Sequence, residues 1–418
     1  MNAKKPVTIR AFKGMNNVIR EGGFAGHDDG TITAIPKVIL NADVTAEEKL
    51  KKRQGYSLLV SLPNSHSAWS KQGVMLTSSM GRLYRFYPGG STVNLCAISG
   101  PFEAKLSYAK EGDLVYISSA HWMGILNSQT NAVSAWGIPI PEQPVLSLVE
   151  DTGVLEPGRY QLCYTNLVDG MVGGNGMISE IEVTAANSRI VFLNKPVGAI
   201  AWATDPNGDT FFRIGREQGY VTDIDTTEPL PTFLCYPPSP MRFIRVAFGR
   251  MWGAINNLLV YSEPYRYDLY KSTNRFVFPS EIRMVAFVDG GIYVGFEDRT
   301  VFLPGTEPSG MKEVSIAGGV SKNIFAYCNN VPDMGNNIPV WVSADGLVAG
   351  SHGGQLAKIT HNKVQFPAGE EGAAVSRIYE GREQFIASFK QQRPTSSGIG
   401  MGDSATCEVV RNGRVITT

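Results

Sequence analysis

The stretch GGIYVGFEDRTVFLPGTEP, residues 290–308, indicates the fold because it has the pattern of one tight β-hairpin. Two glycines precede a short apolar strand, Glu297 and Asp298 form a polar turn, and a second apolar strand follows. Ile292, Val294, Val301 and Leu303 are expected to pack the two faces of the hairpin. Such a hairpin could sense a ligand, line an enzyme pocket or serve as scaffold. Because one hairpin buries little surface, its meaning depends on whether it recurs.

The same phrase, a polar turn followed by two apolar pairs and a looser strand, recurs along the chain. The six units begin at Met80, Glu111, Ile255, Gly290, Asn337 and Ser376. Their spacing of about 30 to 50 residues is typical of β-propeller blades. Radial stacking buries the sheet faces that one blade alone would expose. We therefore predict an all-β chain with a propeller of five to seven blades.

The repeat is interrupted between Leu114 and Leu258 by strands with a different order and a glycine-rich loop. We interpret this segment as an inserted β-sandwich of the fibronectin type III or immunoglobulin kind, ending at a proline-rich exit linker. The predicted parts are an N-terminal leader or arm at 1–56, propeller blades at 57–140, the sandwich at 141–238, and further blades with a C-terminal closing strand at 239–418. One short helix is predicted in TAEEKLKKRQG, residues 45–55, with Thr45 as its cap.

The composition is typical of a folded protein, and the chain has no net charge. Of the 418 residues 43% are hydrophobic and 18% are charged, and Lys plus Arg equals Asp plus Glu at 38 each. Net charge alone therefore does not recruit nucleic acid or an anionic membrane. The start of the sequence has no apolar signal region, and no apolar run is long enough for a membrane helix. We expect a soluble chain without a membrane span.

Side chains suited to cofactor or metal chemistry are scattered. The five cysteines, Cys96, Cys163, Cys235, Cys328 and Cys407, are odd in number and far apart, which favours reduced thiols. The five histidines, His27, His66, His121, His352 and His361, form no metal motif, although the last two could face each other across a hairpin. The glycine-rich stretches 173–180 and 396–404 lack the helix that a phosphate loop needs. We predict no catalytic, cofactor or metal residues.

Two weaker signals leave alternatives open. Acidic residues near predicted turns, Glu297, Asp298, Asp345, Glu380 and Glu383, could serve glycoside cleavage from different blades, but turn chemistry is the simpler interpretation. EPYRYDLYKSTNRF, residues 263–276, mixes tyrosines with cations as nucleic-acid platforms do, but blade packing or an interface is the favoured interpretation. The six tryptophans lie mostly within strand phrases, which favours core packing.

Several phrases resemble bacteriophage virion proteins. FKGMNNV at 12–18 and NADVTAEEKLKKRQGY at 41–56 resemble the opening of such proteins. The hairpin at 290–308, PVWVSADGLVAG at 339–350 and GDSATCEVVRNGRVI at 402–416 resemble their later blades and closing strand. Within that group the chain is similar to the β-propeller nozzle, or tail tube, proteins of short-tailed phages.

The resemblance implies a non-enzymatic structural subunit of the virion tail, assembled in the host bacterial cytoplasm. Identical subunits, six in a nozzle, would form a ring that continues the portal and adaptor channel and conducts or retains genomic DNA. Its partners would be portal or adaptor proteins, tail fibre or tail-tip proteins, and double-stranded DNA in transient contact. A neutral chain suits this role because each phosphate contact would slow DNA release. The alternative is a tail protein that binds or hydrolyses a host-surface glycan through its propeller loops.

Overall fold

The computed structural model describes most of the chain between residues 60 and 361 and shorter stretches on either side. The described residues are 8–12, 23–26, 31–35, 42–44, 49–52, 58, 60–214, 219–361, 363–364, 366, 371–379, 382–389, 406–410 and 414–417. Apart from one short 3-10 helix, Pro308–Gly310, the regular elements in these residues are strands. They divide into two compact units, Met1–Leu58 with Phe278–Thr418 and Leu59–Val277.

The N-terminal strands belong to the first unit and form two small sheets. They are β1 (Thr8–Phe12), β2 (Gly23–Gly26), β3 (Thr31–Ile35), β4 (Ala42–Val44) and β5 (Leu50–Lys52). β3 lies between β1 and β2, and β4 pairs with β5. The predicted helix is therefore wrong at Leu50–Lys52, because cross-strand pairing of Lys51 with Asp43 overrides the local helical propensity of this lysine-rich stretch. Its cap at Thr45 lies outside the described residues.

The Leu59–Val277 unit contains two four-stranded antiparallel sheets before the insertion and one sheet after it. The first two sheets are β6 (His66–Lys71), β7 (Val74–Ser79), β8 (Arg82–Phe86) and β9 (Thr92–Ala97), followed by β10 (Ser107–Glu111), β11 (Leu114–Ser118), β12 (Met123–Asn127) and β13 (Val133–Ser134). In both sheets each strand pairs with the next along the chain. This up-and-down order is that of a propeller blade.

The inserted strands form two sheets. They are β14 (Leu146–Val149), β15 (Gly158–Val168), β16 (Met171–Asn175), β17 (Ser179–Val183), β18 (Arg189–Phe192), β19 (Ile200–Thr204), β20 (Phe211–Arg213) and β21 (Tyr220–Val221). One sheet has the order β14-β18-β21, and the other has the order β16-β15-β19-β20 with β17 also beside β15. Alternate residues of β15, Tyr160, Leu162 and Tyr164, meet Ile190 and Phe192 of β18 in a shared core. The insertion is therefore a β-sandwich.

The third sheet of this unit follows the sandwich and has a short additional strand on its edge. Its strands are β22 (Cys235–Tyr236), β23 (Arg242–Ala247), β24 (Arg250–Ile255), β25 (Leu258–Glu263) and β26 (Arg266–Val277). The order is β22-β26-β25-β24-β23, so the last four strands repeat the blade pattern and β22 pairs with the outermost of them.

The other unit contains three more four-stranded meanders. Their strands are β27 (Met284–Val288), β28 (Gly291–Gly295), β29 (Arg299–Pro304) and β30 (Val314–Ala317); β31 (Phe325–Cys328), β32 (Ile338–Ser343), β33 (Gly346–Gly350) and β34 (Leu356–Lys358); and β35 (Gly372–Tyr379), β36 (Arg382–Phe389), β37 (Thr406–Val410) and β38 (Arg414–Thr417). The hairpin predicted at residues 290–308 is β28–β29, with Ile292 opposite Leu303 and Val294 opposite Val301. Every residue of β28 is buried. The predicted all-β class, propeller-type sheets and inserted sandwich are confirmed.

Candidate functional site

The acidic residues considered for glycan cleavage are each held by a different local partner. Glu297 Oε2 lies 2.6 Å from Arg283 Nη2, and the Glu383 carboxylate accepts hydrogen bonds from Ser376 Oγ at 2.7 Å and the Asn329 N–H at 2.6 Å. Asp298 is 3.8 Å from Arg299, Asp345 is 2.9 Å from Lys358, and Glu380 lies outside the described residues. These contacts stabilise turns and strand ends, as turn chemistry predicts.

Asp345 is the carboxylate whose environment can be tested most directly. The Lys358 ammonium lowers the pKa of the Asp345 carboxyl by a hydrogen bond and by its charge, opposite to the raised pKa of a general acid. We expect NMR titration to place this pKa below its ordinary value and Lys358→Met to raise it. The pair favours folding above the unfolded-state pKa and loses that effect as pH falls through the folded-state pKa. Because both side chains are exposed, stability should change by less than about 0.5 kcal/mol; a pKa above the ordinary value would contradict this interpretation.

His352 and His66 are also held by structural contacts. His352 Nδ1 lies 3.2 Å from the Asp289 N–H, and Nε2 lies 3.1 Å from the Asn336 carbonyl oxygen. His361 is an exposed turn residue, and no hydrogen bond or ion pair joins it to His352. Burial lowers the pKa of His66, whose ring bonds to Ser67 Oγ and the Phe102 carbonyl. No group of three or more His, Cys, Asp or Glu suited to a metal ion occurs in the described part of the chain.

The four cysteines whose side chains the structure describes are free thiols. Cys163, Cys235 and Cys328 are buried, and Cys96 is partly buried. Burial raises the pKa of all four thiols, that of Cys328 to about 12. The neutral thiol is a poor nucleophile, so these residues act as small core side chains. The side chain of Cys407 lies outside the described residues.

The mixed tyrosine and cation stretch serves mainly in packing. Tyr270 is buried, and Tyr267 meets Tyr116 edge-on with ring centroids 5.8 Å apart. Lys271 Nζ lies 3.4 Å from Glu263 Oε2, whereas Tyr265 is exposed at a turn. Packing is also confirmed for the tryptophans: Trp136, Trp202, Trp252 and Trp341 are buried, and Trp69 and Trp122 pack against a core cluster.

Close contacts fix the sandwich to the β22–β26 sheet where the chain enters and leaves the insertion. Trp136 Nε1 donates a hydrogen bond to the Tyr267 carbonyl at 2.9 Å. A Cβ on Gly137 would lie 2.8 Å from Pro237 Cβ, so the segment that enters the sandwich and the segment that leaves it are in close contact. β22, which leaves the sandwich, pairs directly with β26. The predicted exit linker is thus packed against the segment that enters the sandwich.

Further bonds connect strand β16 of the sandwich with the same sheet and with the segment that leads into it. Arg266 forms a two-point ion pair with Asp268, and its Nη2 also donates to the Val172 carbonyl at 2.8 Å. Thr232 Oγ1 donates to the Gly173 carbonyl at 2.6 Å. We call the contacts of residues 136–139, 172–175, 232–238 and 265–270 the joint. The entering segment, the leaving segment and β16 are therefore all bonded or packed at the joint, which fixes the sandwich on this sheet.

Four large apolar side chains are exposed on sandwich loops close to the joint. Val145 is 50% exposed, Met177 is 71% exposed, Leu193 is 63% exposed and Val197 is fully exposed. Val145 precedes β14, Met177 precedes β17, and Leu193 and Val197 lie between β18 and β19. We call these four residues the loop patch.

Hydrogen bonds order the loops that carry the patch. The Leu193 N–H donates to the Val145 carbonyl at 2.9 Å, and the Val145 N–H donates to Asn194 Oδ1 at 2.8 Å. Asn194 Nδ2 donates to the Gln143 carbonyl at 2.9 Å, and Gln143 Nε2 donates to the Ile178 carbonyl at 2.8 Å. Ordered loops that expose large apolar side chains are typical of protein interfaces. The patch was not predicted from the sequence, although Met, Leu and Val in loops that otherwise carry turn residues are a usable signal.

The comparisons with known proteins concern the fold. No family model and no curated protein matches the chain. Among solved structures, PorZ, a surface component of the type-IX secretion system of Porphyromonas gingivalis, matches with 10% identity and a TM-score of 0.31, covering 99% of this chain and 46% of that one. A streptogramin B lyase matches at 12% identity and a TM-score of 0.31, covering 78% of this chain and 92% of that one. Virginiamycin B lyase from Staphylococcus aureus matches at 10% identity and a TM-score of 0.31, covering 77% of this chain and 90% of that one. The chain spans just under half the length of PorZ.

A search of the described residues for a helix long and apolar enough to cross a membrane found none.

Proposed function

We propose that the protein is a non-enzymatic structural subunit of a bacteriophage virion. In this proposal it forms the nozzle of a short-tailed phage tail, where identical subunits form a ring that continues the portal and adaptor channel for genomic DNA. The sequence resemblance suggests the family, and the loop patch is the observation that carries the structural role.

The loop patch supports this role because it combines exposure with rigidity. An enzyme loop that must close over a substrate is drawn from the less stable parts of a fold. The patch instead lies on loops that backbone and side-chain hydrogen bonds order, on a sandwich that the joint fixes to its sheet. A preorganised apolar surface costs little ordering entropy when a partner covers it, which suits a permanent subunit contact.

Purified phage particles provide the test. We expect mass spectrometry to detect the chain in particles, and electron cryomicroscopy to place its sheets in a ring below the portal and around the channel axis. The loop patch should be covered in that density. Absence of the chain from particles would contradict the proposal. So would an assembled mass near that of one subunit, 45.4 kDa, in the presence of the portal-side partner.

A further inference from the structure

Charge is strongly segregated along this neutral chain. Residues 141–238, which form the sandwich, contain 13 Asp and Glu but only 5 Lys and Arg, a formal charge of −8. Because the whole chain is neutral, the remainder carries +8. Each copy therefore carries a sandwich of negative formal charge and a remainder of positive formal charge, and opposite charges on different copies attract even though the net charge is zero.

Much of the negative charge lies at the end of the sandwich away from the joint. The acidic residues of the loops there are Glu150, Asp151, Glu156, Asp205, Asp209, Asp223 and Asp225, and none of them has an ion-pair partner among the described residues. Hydrogen bonds join these loops: Gly153 N–H to the Asn187 carbonyl at 2.8 Å, and Val154 N–H to the Thr222 carbonyl at 3.2 Å. Val154 is 62% exposed among these carboxylates. We call this end the acidic tip.

Strand β5 has the complementary arrangement. Lys49, Leu50, Lys51 and Lys52 are all exposed, which makes this the densest run of exposed cations in the part of the chain that the structure describes. Leu50 is 42% exposed between the lysines. An exposed leucine flanked by cations thus matches an exposed valine flanked by carboxylates, with an apolar centre and a charged rim as in protein interfaces.

We infer that the acidic tip of one copy docks onto strand β5 of a second copy. Val154 would contact Leu50, and Glu150 and Glu156 would lie beside the exposed Lys52. The two surfaces differ, so the contact is heterologous, and repetition around an axis closes a ring. This inference rests on the proposed function, because it specifies which surfaces join the subunits of the ring.

The test measures self-association of the full chain by sedimentation velocity. We expect oligomers at about 50 mM NaCl and at least a tenfold lower association constant at about 500 mM, because salt screens exposed charges. Glu150→Lys with Glu156→Lys should lower the low-salt constant at least tenfold, and Lys52→Glu alone should lower it several-fold. A chain with Glu156→Lys and Lys52→Glu together should associate more strongly than a chain with Glu156→Lys alone or Lys52→Glu alone, because the charges are exchanged across the contact.

Glu307→Lys with Glu313→Lys is the matched control, since both residues are exposed and the change in net charge is the same as in the tip variant. The control should associate like the parent chain, and far-UV circular dichroism should show that every variant is folded. Absence of self-association, insensitivity to salt, or equal loss in the control would overturn the inference.

Failure of the proposed contact can be distinguished from failure of the proposed function. Salt-insensitive association of a chain that is present in phage tails would overturn only this inference. Charge-dependent association of a chain absent from phage particles would support the contact and overturn the proposed function.

Discussion

Replacement of Gly174 by alanine is expected to destabilise the Leu59–Val277 unit by about 3 kcal/mol, at the upper end of the usual cost of overpacking. A Cβ at this position would overlap the backbone carbonyl of Cys235, where the chain leaves the sandwich. A backbone group cannot rotate away as a flexible side chain can. Relief therefore requires β16 and β22 to move apart, which breaks the joint.

Calorimetry and hydrogen exchange would measure this effect. A loss of about 3 kcal/mol should lower the melting temperature of a unit of this size by about 6 to 12 °C. Faster amide exchange should be concentrated at Cys235, Tyr236 and the β16 residues. Gly219→Ala is the matched control, because a Cβ there meets nothing within 4 Å and the residue lies in the same sandwich. Equal melting temperatures for the two variants would show that the space beside Gly174 can accept a methyl group, which contradicts the close contact at the joint.

The hairpin at residues 290–304 could be predicted from sequence because its information is local. Two short apolar runs on either side of a polar turn indicate a pair of strands, and the structure pairs Ile292 with Leu303. The sandwich was recognisable for a similar reason, since its strands interrupt a regular repeat. Blade repetition and the insertion are thus properties of short windows of sequence.

The joint could not be predicted because its contacts link distant segments. Nothing near Gly174 in the sequence indicates that the Cys235 carbonyl occupies the space of a side chain. The helix predicted at strand β5 was wrong for a related reason. The lysine-rich stretch has local helical propensity, and only its pairing with the partner strand β4 shows that it is a strand. The acidic tip was missed because an overall charge of zero conceals opposite charges in different parts of the chain.

The loop patch makes the strongest prediction for the proposed function. A chain with Met177→Asp and Leu193→Asp is expected to fold but to be lost from assembled tails. Both side chains are more than half exposed, so the substitutions should change folding stability by less than about 0.5 kcal/mol. In the assembled tail each apolar side chain would contribute about 1.5 to 3 kcal/mol, and a buried unpaired carboxylate adds a desolvation cost. A combined loss of about 4 kcal/mol corresponds to a roughly thousandfold weaker contact.

The measurement is the amount of variant chain in particles purified from a phage that lacks its own copy and is supplied with the variant in trans. The matched control is Val93→Asp with Val314→Asp, which places the same charges on exposed apolar residues of β9 and β30, outside the patch. Because the patch contact is apolar, raising the salt concentration should not weaken it, whereas the acidic tip contact should weaken. Normal incorporation of the patch variant would show that these loops face solvent in the tail, and the structural role would then lose the observation on which it depends.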